Sequence, residues 1–402
     1  IRTPLVIFSS YGDNITPPHQ ALGWLKEVFA TTEGLVAAGQ RVVYLLHKQV
    51  GHLGIFVSAG VARREHRAIL HHAGTIQDLA PGLYEMVLDD AATGDGATAA
   101  RFEPRRLEDL PFDANPAGFD KVQALWKAEK HLDNHHVKFV PGVNEDLAAT
   151  AVWGTQTVGL VGPAKYDGVF ALWYGKGPGV DRCGDVFKHM NHAGTAEHGG
   201  VILVAGDDHG AYSSTLPHQS DHLFSASMIP MLYPCNVQEY LDLGLHAWAM
   251  SRYSGCVIGF KALADTVEST ASVDADPFRL KIEYPDDVKM PEGGLNTRLS
   301  TDTLGVQARK QEALMQDYKI YAAMAYARAN KLNHTTIDSP KAKLGIIASG
   351  KSYLDVLEAL EELGIDEAMA ADIGIRLYKV AMVWPLEPEG VREFAQGLDE
   401  IL

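Results

Sequence analysis

An α/β protein of parallel sheets layered between helices (αβα) is the fold class the sequence predicts. Two observations predict it. Short, unbroken apolar runs such as Leu5-Val-Ile-Phe-Ser9, Arg41-Val-Val-Tyr-Leu-Leu46 and Val201-Ile-Leu-Val-Ala205 have the character of strands covered on both faces. Longer stretches of helical period separate them, and strand–helix–strand order builds parallel sheets through crossover connections.

In order along the chain, residues 5–9 predict a strand and residues 19–38 a helix closed by Gly39. Residues 41–46 predict a second strand, and a further helical stretch begins at His52. Residues 91–118 are rich in Ala, Gly, Thr and charge, then carry Pro111, Pro116 and Gly118, and so predict turns and a linker, with the join at 111–118. The pattern resumes with a helix over 119–135, a short strand over 137–140, and a helix capped by Asn144 that runs through Glu145, Leu147, Ala151 and Val158. Strands follow over 166–174, 201–205 and 255–260, with helices over 185–193, 218–227 and 238–250. Residues 261–300 are irregular, and 307–329 predict a long polar-faced helix. Strands over 344–348 and 377–380 open a third unit.

The chain has 402 residues, 46% hydrophobic and 21% charged, which suits two or three soluble globular domains. A net charge of −16 argues against a nucleic-acid partner. No apolar run approaches a membrane span, and no signal peptide opens the chain. Cys183, Cys235 and Cys256 are the only cysteines. That sparse, odd set fits a reducing compartment, so a cytoplasmic location is expected. Three scattered thiols do not hold an iron–sulfur cluster.

In the first segment, Asp13 follows one strand and His52 the next. Reactive groups of parallel sheets gather at the carboxyl ends of strands. An acid and a base in this order are the last two members of a nucleophile–Asp–His triad. The bland alternative is a turn aspartate before Pro17-Pro18 and a helix-start histidine. Residues 1–110 resemble the C-terminal part of an α/β-hydrolase family related to polyhydroxyalkanoate synthesis proteins, which implies acid and base roles for Asp13 and His52. No Gly-x-Ser-x-Gly or Gly-x-Cys-x-Gly elbow occurs in the segment, so the nucleophile would come from elsewhere.

Five stretches in the second segment carry a more specific signal. They are Leu125-Trp-Lys-Ala-Glu-Lys-His-Leu132, Pro141-Gly-Val-Asn-Glu-Asp-Leu-Ala-Ala-Thr-Ala-Val-Trp-Gly-Thr-Gln156, Trp173-Tyr-Gly-Lys-Gly-Pro-Gly-Val-Asp-Arg182, the loop from Gly206 to Ser220, and Gly350-Lys-Ser-Tyr-Leu-Asp-Val356. With them, residues 119–402 resemble the indolepyruvate ferredoxin oxidoreductase family of thiamine-diphosphate enzymes. The resemblance implies a pyrimidine-binding domain over 119–340 and the start of a transketolase-C-like domain over 341–402. It implies oxidative decarboxylation of an aryl or branched 2-oxo acid to an acyl-CoA, with electrons passed to ferredoxin. It places the cofactor-activating carboxylate at Glu145, which would bond the ring nitrogen of the aminopyrimidine and favour its imino form. Read without the resemblance, Glu145 is a first-turn acid that suits the helix dipole, as is its neighbour Asp146.

The loop from Gly206 to Ser220 carries Asp207, Asp208, His209, Ser213, Ser214 and His218, and the resemblance puts it near the cofactor pocket. Asp208, His209, Ser213 and Ser214 are therefore candidate cofactor contacts; the alternative is a polar, capped loop. No spacing in the loop matches a zinc or calcium site. Arg182 is the candidate for the substrate carboxylate. Gly94-Asp-Gly96 imitates the magnesium–diphosphate motif of thiamine enzymes but lies in the linker, and is read as a turn. The magnesium and diphosphate site and the iron–sulfur clusters are thus expected on domains or subunits outside this chain. A dimer is expected. So is a chain that does not complete the reaction alone, whether as one component of the enzyme or as a non-catalytic fusion remnant.

Overall fold

A computed structural model of the chain describes residues 3–12, 18–50, 61–92, 98–111, 126–160, 162–210 and 216–402. They fall into two compact units, Ile1–Phe139 and Val140–Leu402.

The first unit is built on a four-stranded sheet of order β1-β2-β3-β4, with β1 (Leu5–Ser10), β2 (Arg41–His47), β3 (Gly82–Ala92) and β4 (Thr98–Arg105). β1 and β2 are parallel, in register from Leu5 opposite Val42 to Ser10 opposite His47. β2 and β3 are also parallel, while β4 returns antiparallel to β3. Alternate residues of β2 feed opposite cores. Val42 and Tyr44 pack with Leu22, Leu25 and Leu35, whereas Val43 and Leu45 pack with Ala68, Ile76 and Met86. Such two-sided burial is what an unbroken apolar run predicts.

Two expectations are corrected here. The helix expected over 19–38 is two helices, Pro18–Phe29 and Thr32–Ala37. Ala30 takes φ 57° and Thr31 caps the second helix, its hydroxyl accepting from the Gly34 N–H at 3.1 Å. A threonine at that point offers the backbone a competing hydrogen bond. Gly39, at φ 69°, ends the helical stretch as expected.

The linker expected over 91–118 instead contains β4. Its sequence alternates small or apolar residues with charge, and charge is what hid it. Phe102 packs in the second core. Arg101 pairs with Asp89 and Glu103 on the open face, and Arg105 with Glu85 at 2.7 Å. Cross-strand pairs of this kind support an antiparallel ladder. Gly94-Asp-Gly96 lies between β3 and β4, outside the described residues.

Of the helix expected over 119–135, the described part is interrupted by Lys130 at φ 61° and continues as the short helix His131–Asn134. Residues 137–140 form no strand, and Val137 and Val140 are exposed. A valine-rich run without a neighbouring ladder has nothing to satisfy its backbone as a strand.

The second unit holds two sheets. One has order β12-β7-β8-β6-β5, from β5 (Phe170–Lys176), β6 (Gly200–Asp207), β7 (Met231–Leu232), β8 (Ile258–Leu263) and β12 (Met382–Trp384). The other has order β13-β10-β11-β9, from β9 (His334–Ile337), β10 (Leu344–Ser349), β11 (Ile375–Val380) and β13 (Glu400–Ile401). The β5–β6, β6–β8 and β7–β8 pairs are parallel, as are β10–β11 and β10–β13. β9 and β12 run antiparallel to their neighbours β11 and β7.

Helices cover both faces of the five-stranded sheet, giving the expected αβα layers. Val201, Leu203 and Ala205 of β6 pack against Val180, Phe187 and Phe224 on one face. Ile202 packs on the other face with Leu243, Ala247 and Tyr326. The second sheet is tied to the first through β12, which lies one residue beyond β11. Asn333 holds that crossing: its Oδ1 accepts from the Ala381 and Met382 N–H groups at 2.9 and 2.8 Å. The polar-faced helix expected over 307–329 is interrupted by a π-helical turn, Met315–Lys319, and its second half is buried through Ala322, Ala323 and Tyr326.

Candidate functional site

The candidate site lies at the carboxyl ends of β5 and β6, where parallel sheets present their loops. β5 ends at Lys176 and runs directly into the short helix Gly177–Arg182. β6 ends at Asp207, and the chain turns through Asp208 and His209. The helix Glu145–Thr155 packs on the same face as Val180 and Phe187 and brings its first turn to this edge.

That first turn is fixed by three contacts. The Asn144 side-chain oxygen accepts from the Leu147 N–H at 2.9 Å, a helix cap worth about 1 kcal/mol. The Trp173 indole N–H donates to the Glu145 carbonyl at 3.2 Å. Gly179 lies against the Glu145 side chain, where a Cβ would meet Glu145 Cγ at 2.6 Å. The carboxylate is thereby set facing Arg182, whose Nη1 lies 3.3 Å from Glu145 Oε2. The Glu145 side chain is 35% exposed and that of Arg182 66%, so this pair contributes only about 0–1 kcal/mol.

Asp146 has a different setting. It lies beside the Cys183 thiol, and burial, reinforced by the charge of Asp146, pushes that thiol up to about 12. The two adjacent acids of the first turn, both half-buried, therefore have different main neighbours, Arg182 for Glu145 and Cys183 for Asp146.

The loop after β6 is built around a buried network. Asp207 accepts from the Ser220 N–H at 2.9 Å and from its hydroxyl at 2.6 Å. Lys261, near the end of β8, reaches Asp221 at 2.7 Å and Asp207 at 3.8 Å. Its ammonium also lies 4.9 Å from the centre of the Tyr233 ring. Lys261 was missed by sequence reasoning; the available signal was a lysine inside the apolar run Ile258-Gly-Phe-Lys-Ala-Leu263. Asp208 is buried, and its carbonyl accepts from the His218 N–H at 3.2 Å. His218 packs against Gly177 and lies 3.4 Å from Asp181. Burial pushes the nearby Lys176 ammonium down, against the opposing pull of Asp208.

The structure thus brings Glu145 and Arg182 into contact and links Asp208 to the same short helix through His218. His209 sits on the exposed tip of the loop. Ser213 and Ser214 lie outside the described residues, as do Asp13 and His52. Among the described residues no group of three or more His, Cys, Asp or Glu side chains is placed to hold a metal ion. No described helix is long and apolar enough to cross a membrane.

Comparison with known proteins divides the chain in the same way. Residues 1–139 match a family described as "Protein of unknown function (DUF3141)", and residues 334–402 match the "Indolepyruvate oxidoreductase domain". An uncharacterized protein in the ackA 5' region of Rhizobium meliloti is 45% identical over 117 residues, covering 27% of this chain and 16% of that protein. The indolepyruvate oxidoreductase subunit IorA of Methanothermobacter marburgensis is 26% identical over 239 residues, covering 60% of this chain and 36% of the subunit. The same subunit from Pyrococcus abyssi is 25% identical over 245 residues, covering 60% and 35%. The chain therefore spans about a third of the length of these subunits. A 2-oxoglutarate:ferredoxin oxidoreductase from Magnetococcus marinus, solved with 2-oxoglutarate, coenzyme A and succinyl-CoA bound, aligns with TM-score 0.49 and 13% identity over 70% of this chain and 52% of that one.

Proposed function

We propose that residues 119–402 are a component of a thiamine-diphosphate-dependent 2-oxoacid ferredoxin oxidoreductase, acting on an indolepyruvate-like acid. The observation that carries this reading is the likeness to indolepyruvate oxidoreductase subunits over 60% of the chain, combined with the setting of Glu145. Residues 119–340 would be the pyrimidine-binding domain and 341–402 the start of a transketolase-C-like domain.

The residues present fit one part of the cofactor. Glu145 offers a partly exposed carboxyl group at the carboxyl ends of β5 and β6, and in its protonated form that group can donate to an aminopyrimidine ring nitrogen. Asp208, with Lys176 beside it, would border the same ring. Magnesium and diphosphate would be held elsewhere. That part, together with the iron–sulfur clusters, is assigned to a partner domain or subunit. Thiamine diphosphate, when bound, supplies the carbanion chemistry that decarboxylates a 2-oxo acid. Glu145 would hold a proton at the pyrimidine ring nitrogen. Arg182 would orient the substrate carboxylate by a charge-assisted hydrogen bond. Coenzyme A and ferredoxin complete the proposed set of partners, with a dimer as the proposed assembly.

A second reading concerns residues 1–110, as an α/β-hydrolase or acyltransferase fragment. One observation favours it. β1 and β2 are adjacent and parallel and end level, with Ser10 opposite His47. The strands that precede Asp13 and His52 in the chain therefore end side by side at one edge of the sheet. The experiment is a crossed pair of substitutions. With the partner domain or subunit supplied for turnover and a nucleophile-bearing segment supplied for the esterase assay, Glu145→Ala is expected to abolish thiamine-linked turnover of indolepyruvate and leave ester hydrolysis intact, and His52→Ala to do the reverse. If neither substitution changes either activity, both readings fail.

A further inference from the structure

We infer that Arg182 is a displaceable latch on Glu145, so that the guanidinium and the cofactor's pyrimidine compete for one carboxylate. The inference rests on the reading of Glu145 given above.

The two partners are held very differently. Glu145 is fixed from three directions. Its carbonyl takes the Trp173 indole N–H at 3.2 Å, its helix is capped by Asn144, and Gly179 packs on its side chain. Its backbone is therefore held in place, so its carboxylate stays at this edge of the sheet. Arg182 stands at the end of a six-residue helix with two-thirds of its side chain exposed, and it reaches Glu145 through one nitrogen at 3.3 Å. A single-point, solvated contact lacks the two parallel hydrogen bonds that make an Arg–carboxylate pair strong. In such a pair the arginine is the partner that gives way.

The consequence is an order of events. While Arg182 rests on Glu145, the carboxylate is engaged and the cation is neutralised. An aminopyrimidine ring nitrogen only accepts, so Glu145 takes up one proton from solvent to donate to it, and the neutral pair that forms releases a guanidinium within a side chain's length of the ring. That cation is then available to a second ligand bearing a carboxylate, which is the chemical class of a 2-oxo acid. Cofactor occupancy would gate the substrate's anchor.

The test uses the full chain and 4-amino-2-methylpyrimidine, a fragment that needs the carboxylate but no metal or diphosphate site. Binding is read by calorimetry for wild type, Arg182→Gln, Arg182→Lys and Glu145→Gln, with circular dichroism to verify the fold. Removal of the competing charge in Arg182→Gln is expected to tighten binding by about two- to five-fold, the range set by an exposed ion pair. Arg182→Lys is expected to stay within about two-fold of wild type, since it keeps a competing cation. Raised salt is expected to tighten binding to wild type but not to Arg182→Gln, because it screens only the pair. Glu145→Gln is expected to lose binding. Binding that requires Glu145 but is unchanged or weaker in Arg182→Gln overturns the latch and leaves the reading of Glu145 standing. No binding to any variant, or binding indifferent to Glu145→Gln, overturns the reading and the latch together.

Discussion

The Glu145 carboxylate and the Arg182 guanidinium meet at 3.3 Å although 37 residues separate them in the chain. Sequence reasoning proposed them separately, one for a cofactor and one for a substrate. The folded chain makes them a pair because β5 delivers the Gly177–Arg182 helix beside the first turn of the Glu145–Thr155 helix.

Gly179 is the hinge of that arrangement. Gly179→Ala would place a Cβ 2.6 Å from Glu145 Cγ and so displace the carboxylate. Overpacking at a fixed contact is expected to cost about 1–3 kcal/mol in urea unfolding. Thiamine-linked binding is expected to fall with it, whereas Gly154→Ala, at an exposed helix position where a Cβ meets nothing within 4 Å, should leave binding unchanged and raise stability by up to about 1 kcal/mol.

Lys261 is predicted to matter more to stability than any exposed basic residue in the chain. Lys261→Met leaves the buried Asp207 and half-buried Asp221 without their cation. Loss of one partner from a buried charge cluster is expected to cost about 3–5 kcal/mol. Arg101→Met, on an exposed strand face, is expected to cost about 0–1 kcal/mol. Equal losses in denaturant midpoint would show that the network does not hold the loop.

Lys319 gives a pH signature. It is fully buried, with its ammonium 3.4 and 3.5 Å from the carbonyls of Asn191 and His192 at the end of a helix. Burial pushes it down to about 8, from the ordinary 10.5. The folded chain therefore releases this proton before the unfolded chain does, and stability rises with pH between about 8 and 10.5. Cys183 and Cys256, whose thiols burial holds near 12 and 11, work in the opposite direction. The quantity to measure is thus the difference between wild type and Lys319→Met. Lys319→Met is expected to be the more stable protein below pH 8, with the gap closing towards pH 10. A gap that is flat with pH would contradict the assignment.

Much of the layered core was legible because it is written in apolar periodicity. β1, β2, β6 and β10 are largely apolar runs and stand where the sequence puts them, whereas β11, interrupted by Arg376 and Lys379, was expected only over 377–380. β4 was not legible, since its open face carries Arg101, Glu103 and Arg105, whose charges find partners on β3 twelve and twenty positions away. The break at Ala30 was hidden in a continuous helical pattern and is set by a single capping threonine. In the site, Glu145 and Asp208 were named from motifs, but Lys261 was not. Its role exists only because β6 and β8, far apart in sequence, lie side by side. The partnership of Asp146 with Cys183 was equally out of reach, being a contact between two helices.

The most direct test of the central claim is calorimetric binding of thiamine diphosphate with magnesium to the purified chain, with and without a separately expressed diphosphate-binding domain. The account predicts binding only when that domain is added, and loss of that binding in Glu145→Gln. A folded chain that binds in neither case, or binds equally well without Glu145, would contradict it.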